Sequence, residues 1–173
     1  MKQVSIGIDP GLHGAVASID TTTLEVIELR DTPTVKAGGK TLYNIDGMAA
    51  LLRHLSLGVN AHIILEQQSA RPGQGVTSTF STGYGFGLWC GVLGALTLPY
   101  RTVHPATWTR RVLDGIGGTG KERVIRFAMS MFPGAEIVPP GCRKPRDGRA
   151  DALALAYFGT QERFPRAEMR KSA

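Results

Sequence analysis

Within its first 30 residues the chain alternates three times between apolar and polar positions, and only short links separate the three stretches. QVSIGID (3–9) places Val4, Ile6 and Ile8 on one face, and GAVASID (14–20) and LEVIELR (24–30) repeat the pattern. A period of two is the signature of a strand. Links this short cannot hold a crossover helix, so the three strands are expected to form an antiparallel meander. Pro10-Gly11 ends the first strand, and Asp20 with Thr21 to Thr23 can turn between the second and third.

After this opening the pattern changes. Residues 31–44 are polar, include Gly38-Gly39, and are expected to form a loop. Asp46 is positioned to cap a helix running to Leu57, with Met48, Leu51, Leu52 and Leu55 at helical spacing. AHIILE (61–66) is a buried strand that ends on a carboxylate, followed by a loop and a long helix over 76–96. A further strand ends at Pro105, and helices are predicted over 106–114, 121–132 and 149–164. A strand-rich start followed by alternation gives an α/β protein with a mixed five-stranded sheet flanked by helices. A length of 173 residues suits one domain, with a basic tail at about 163–173.

The charge is uneven. Net charge is +6, but residues 1–100 carry 6 Lys and Arg against 7 Asp and Glu, whereas residues 101–173 carry 14 against 7. A one-sided basic excess favours a polyanionic partner, nucleic acid first, with a solvated basic tail as the plain alternative. The longest apolar run, Gly87 to Tyr100, is too short for a bilayer and is broken by glycines, so no membrane partner is expected. Two distant cysteines, Cys90 and Cys142, build neither a disulfide framework nor a zinc site. With no apolar leader, the expectation is a cytoplasmic protein of a bacterial or phage-infected cell, an organelle being the other possibility.

Acidic residues are scarce and pointedly placed. None occurs between Gln67 and Leu113. Asp9 ends the first strand, Glu66 ends the fourth, and Asp151 stands in the first turn of the last helix, with Asp147 four residues before it on the same side. Gathering carboxylates at the ends of apolar strands is costly because they repel and desolvate badly. A divalent cation removes that cost, and magnesium suits an all-oxygen set. In a basic protein this points to metal-assisted phosphodiester chemistry. The plain alternative is that each acid caps its own element, which is strongest for Asp151.

Other motifs lead nowhere. Gly115 to Glu122 resembles a phosphate loop, but Glu122 stands where a Ser or Thr should hold magnesium. Gly83, Gly85 and Gly87 lack dinucleotide-fingerprint spacing. His13, His54, His62 and His104 show no metal spacing, and at most His13 or His104 lies near the site. No small-molecule cofactor is implied.

IGIDPG (6–11), ILEQ (64–67) and ADALALA (150–156), with HPATWTRRVLDGIGGTGKERV (104–124) between the last two, resemble the RuvC family of Holliday junction resolvases over residues 4–159. The resemblance implies a ribonuclease H-like fold, a homodimer, and magnesium-dependent cutting of four-way DNA junctions, with manganese able to substitute. It implies Asp9, Glu66 and Asp151 as the carboxylates, Asp147 as the fourth metal ligand, and Lys121 as the cation facing the scissile phosphate. Arg110 or Arg111 falls near a second basic position, and Arg71, Arg143, Lys144 and Arg146 complete the expected DNA contacts.

Two departures stand out. The family's fourth ligand lies three residues before the last aspartate, where this chain has Gly148, with Asp147 one residue earlier. The aromatic that follows the strand-four glutamate in many members is replaced by Gln68, Ser69, Ala70 and Arg71. Such departures fit a phage or otherwise divergent branch. The other readings are a nuclease of this fold acting on another nucleic acid, such as precursor ribosomal RNA, and a non-nuclease actin-like phosphate-loop protein. Gly83, Gly87 and Gly91 share one helix face, either for a second copy of the chain or for its own sheet.

Overall fold

The computed structural model describes residues 1–70 and 72–162. Three alternating strands open the fold as expected: β1 (Gln3–Ile8), β2 (Ala15–Asp20) and β3 (Val26–Asp31). β1 pairs antiparallel with β2, and β2 with β3. Asp20 makes the second turn by accepting the amides of Thr22 at 2.8 Å and Thr23 at 3.2 Å. Those two donors, with Lys2 beside them, hold its carboxyl below the usual range.

The segment expected to be a loop is a hairpin, β4 (Thr34–Ala37) and β5 (Lys40–Tyr43), forming its own two-stranded sheet. Gly38 and Gly39, at φ 55° and 74°, make its turn, a conformation that glycine adopts without steric cost. Helix α1 (Ile45–Ser56) follows. Its cap is Asn44, whose side chain accepts the Gly47 amide at 2.9 Å, while Asp46, the expected cap, lies inside the first turn. Then come β6 (Asn60–Glu66), α2 (Val76–Ala95), β7 (Tyr100–Val103), α3 (Pro105–Val112), α4 (Gly120–Met131) and α5 (Asp147–Thr160). The last predicted helix reached 164; residues 163 and 164 and the basic tail lie outside the described residues.

The main sheet has the order β3-β2-β1-β6-β7, with β6 parallel to both β1 and β7. Its two faces bury separate cores. Val4, Ile6 and Ile8 of β1 and Ile63 and Leu65 of β6 meet Met48 and Leu52 of α1 and Trp89 and Leu93 of α2. On the other face Ala15, Ala17 and Ile64 meet α3, α4 and α5 through Trp108, Phe127 and Leu153. Period-two alternation therefore sends Ser5, Gly7 and Asp9, and likewise Ile64 and Glu66, toward α5.

Helix α5 lies almost on the sheet itself. A Cβ placed on Gly7 would fall 2.2 Å from the Ala156 nitrogen and 2.3 Å from the Ala152 carbonyl oxygen, so no larger residue fits there. The alanines of ADALALA are fully buried and short enough to allow this approach. Buried Arg149 anchors the start of α5. It donates to Asp31 at 2.6 Å and to the Glu136 carbonyl at 2.6 Å. No helix among the described residues is long and apolar enough to cross a membrane.

Candidate active site

The site forms where β1, β6 and α5 converge. The register of β1 and β6 ends at Ile8 opposite Leu65. Asp9 and Glu66 are the next residues on neighbouring parallel strands and share the α5 face. Asp9 is held by the turn it starts: its amide donates to the Ala15 carbonyl at 3.0 Å and its Oδ1 accepts the Gly11 amide at 3.2 Å. Glu66 accepts from Trp108 Nε1 at 3.0 Å and from Gln68 Nε2 at 2.6 Å. Asp151 enters from α5, and Lys121 at the start of α4 pairs with Asp147.

Electrostatics bind these residues into one unit. Burial pushes the Asp9 carboxyl up to about 7, helped by the Glu66 and Asp147 charges and opposed by the Gly11 amide and Lys121. Asp151 is raised well above the carboxylate range, first by burial and then by Asp9, Glu66 and Asp147. Lys121 lowers Asp147, and Asp147 in turn raises Lys121. The carboxylates thus lie within one another's field, and one exposed ammonium only partly offsets them. That is the electrostatic setting a divalent cation relieves, and an all-oxygen donor set is what magnesium prefers. Among the described residues, no three His, Cys, Asp or Glu side chains stand close enough to enclose an ion.

The displaced acid at 147 has a steric reason. A Cβ at Gly148 would sit 2.6 Å from the His13 carbonyl oxygen, 2.8 Å from Gly14 Cα and 2.9 Å from Asp9 Oδ2. At Gly148 the main chain of α5 lies against the Asp9 turn with no space for a Cβ, which leaves no room for a carboxylate at 148.

The expected DNA contacts divide. Arg110, Arg143 and Lys144 are exposed. Arg111 is engaged elsewhere, paired with Glu162 beyond the far end of α5 and stacked over Phe158 at 5.4 Å. Arg146 bonds Asp31 at 3.2 Å. Arg71 lies outside the described residues. His104 caps α3, its Nδ1 accepting the Ala106 amide at 3.2 Å. Gln68 and Trp108, which orient Glu66, were not singled out from the sequence. The only available signal was that a buried tryptophan N–H needs an acceptor.

A mixed sheet with a three-strand antiparallel meander, two parallel strands beyond it and helices on both faces is the ribonuclease H-like architecture. RuvC has the same fold. The chain superimposes on Thermus thermophilus RuvC in complex with a Holliday junction substrate with a TM-score of 0.60, at 18% identity over 90% of this chain and 91% of that one. A second Thermus thermophilus RuvC structure gives 0.54, at 18% identity over 90% and 92%. No protein-family model and no curated protein matches the chain by sequence.

Proposed function

We propose that this chain is a single-domain, magnesium-dependent endonuclease that resolves four-way DNA junctions by paired symmetric cuts. The observation that carries the reading is the delivery of Asp9, Glu66 and Asp151 to one face of the β1–β6–α5 junction, with Asp147 and Lys121 at its rim. The RuvC fold, seen in a neighbour bound to a junction, supports the same substrate. The chemistry that a divalent cation supplies at such a cluster is charge stabilisation at a phosphoryl oxygen and a water acidic enough to attack. The chain's own residues do the rest. Trp108 and Gln68 fix the Glu66 oxygens, and the Gly11 amide fixes Asp9. Lys121 is exposed and can turn from Asp147 to the negative charge that builds on the phosphate.

Two cuts need two sites, and a two-fold homodimer supplies them. Gly83, Gly87 and Gly91 support the second copy over the sheet as the partner of their face, since a Cβ at any of them meets nothing within 4 Å among the described residues. Exposed Arg110, Arg143 and Lys144 would hold the DNA backbone without base readout.

The test is cleavage of a junction, a linear duplex and a hairpin RNA with magnesium or manganese. Junction cutting is expected, abolished by Asp9→Asn or by Glu66→Gln, with binding kept or tightened because negative charge has been removed. Near wild-type cutting by either variant would overturn the assignment. RNA cutting alone would move the substrate to an RNA precursor. Nucleotide hydrolysis without cutting would favour a phosphate-loop protein.

A further inference from the structure

Beside the carboxylates, the hairpin β4–β5 and the first turns of α2 enclose a cavity of about 370 Å³. Gly11 and Leu12 of the Asp9 turn form one end, Leu42 and Tyr43 one wall, and Phe80 and Tyr84 the other. Phe80 and Tyr84 stack, with centroids 6.1 Å apart and planes 9° from parallel. Tyr84 meets Tyr43 edge-on at 6.0 Å. Tyr43 in turn donates to the Pro10 carbonyl at 3.1 Å, so the row of rings ends one residue from Asp9. Phe80 is 72% exposed and Tyr84 51%.

Two large rings held parallel in solvent bury little of their own surface, yet they present a flat apolar face. Both walls lack acidic residues: none occurs from Thr32 to Ile45 or from Gln67 to Leu113, and the hairpin carries Lys36 and Lys40. No acid lines the cavity itself, the Asp9 charge reaches it only at the Tyr43 end, and its rings can stack a flat base. The cavity size suits a base with its sugar, within the usual range for small-ligand sites.

We infer that this cavity receives one unpaired nucleobase of the DNA, stacked on Phe80, while the strand continues past the Asp9 turn. The inference rests on the nucleic-acid reading above. It gives this chain an aromatic contact on α2 and the hairpin, in elements other than the Gln68–Arg71 stretch itself. Stacking of a base on an aromatic ring is sequence-tolerant and worth a large factor in affinity.

The experiment uses the full chain in EDTA, so that nothing is cut, and measures binding of a short oligothymidylate and of a linear duplex by fluorescence anisotropy. Phe80→Leu is expected to weaken oligothymidylate binding about tenfold or more. Duplex affinity should stay unchanged, and Phe80→Trp should restore the single strand. Leucine keeps apolar bulk but removes the ring, so a packing role would tolerate it. Unchanged single-strand binding, an equal loss on duplex, or a change in oligomeric state measured by light scattering would each overturn the base site alone. A wild-type chain that binds neither oligothymidylate, duplex nor junction would overturn the nucleic-acid reading, and the base site with it.

Discussion

The two faces of the main sheet are built on opposite plans. On the α5 face a side-chain core of Trp108, Phe127 and Leu153 surrounds two points where main chain meets main chain: Gly7 against Ala152 and Ala156, and Gly148 against the Asp9 turn. On the α1–α2 face the inner half is an ordinary apolar core, but the outer side of α2 offers glycines whose Cβ positions meet nothing among the described residues, and rings that stand in solvent. The same residue type thus does opposite jobs. At Gly7 it admits a neighbour already present, and at Gly87 it leaves room. The close face sets the positions of carboxylates that would otherwise drive each other apart. The open face meets nothing at its glycines among the described residues.

Three measurements would break or sharpen that contrast. The largest effect belongs to Gly7→Ala. One methyl group would meet backbone atoms at 2.2 and 2.3 Å, and neither strand nor helix can yield without moving the other. A loss of about 3 kcal/mol or more in denaturant melts is expected. A near-neutral result would show that α5 is free to ride outward.

A second measurement concerns charge held by that packing. The Asp9 carboxyl lies at about 7 in the folded chain against an ordinary 3.8, so between those pH values the folded form binds the proton that the unfolded form has released. Stability of the protein in EDTA should therefore fall as pH rises from about 4 to 7, by roughly 2 kcal/mol or more, with buried Asp151 adding to the fall. Asp9→Asn should flatten that slope, and magnesium should recover more stability at the upper end than at the lower. Melts with EDTA that rise through this window would contradict the burial described for Asp9.

The smallest effect on stability belongs to Gly87→Leu. A Cβ at this position meets nothing within 4 Å among the described residues, and helix propensity favours leucine over glycine by roughly 0.5–1 kcal/mol. The expected change is in assembly. Light scattering should report monomers, and the melting temperature should lose the dependence on concentration that a dimer shows. A variant that stays dimeric would move the copy interface off this face.

Much of this arrangement was legible in the sequence, and the unread parts share a cause. Asp9 and Glu66 could be placed on one face because strand alternation and strand ends are local properties. The hairpin was missed although Gly38-Gly39 lies between two short stretches of strand formers. Every residue of β4 is exposed, so no buried face wrote an alternating pattern there. Arg111 and Arg146 looked available as DNA contacts because their acids, Glu162 and Asp31, are remote in sequence. Gly148 looked like a lost ligand, and only the packing of α5 on the Asp9 turn shows why a side chain has no room there. The glycine face allowed two partners in sequence, and the empty space around it removes the chain's own sheet as one of them.

The seat of α5 on β1 has one more consequence, which concerns entropy. Side chains that clasp a site must give up rotamers to do so, and each loss weighs against the ordered state. Where Gly7 faces Ala152 and Ala156 there are no rotamers to give up. The placement of Asp151 relative to Asp9 therefore costs no side-chain freedom at the contact that sets it. Nor can that contact absorb an error by letting a side chain swing aside: a shift of the helix must move whole backbone, and the acids move with it.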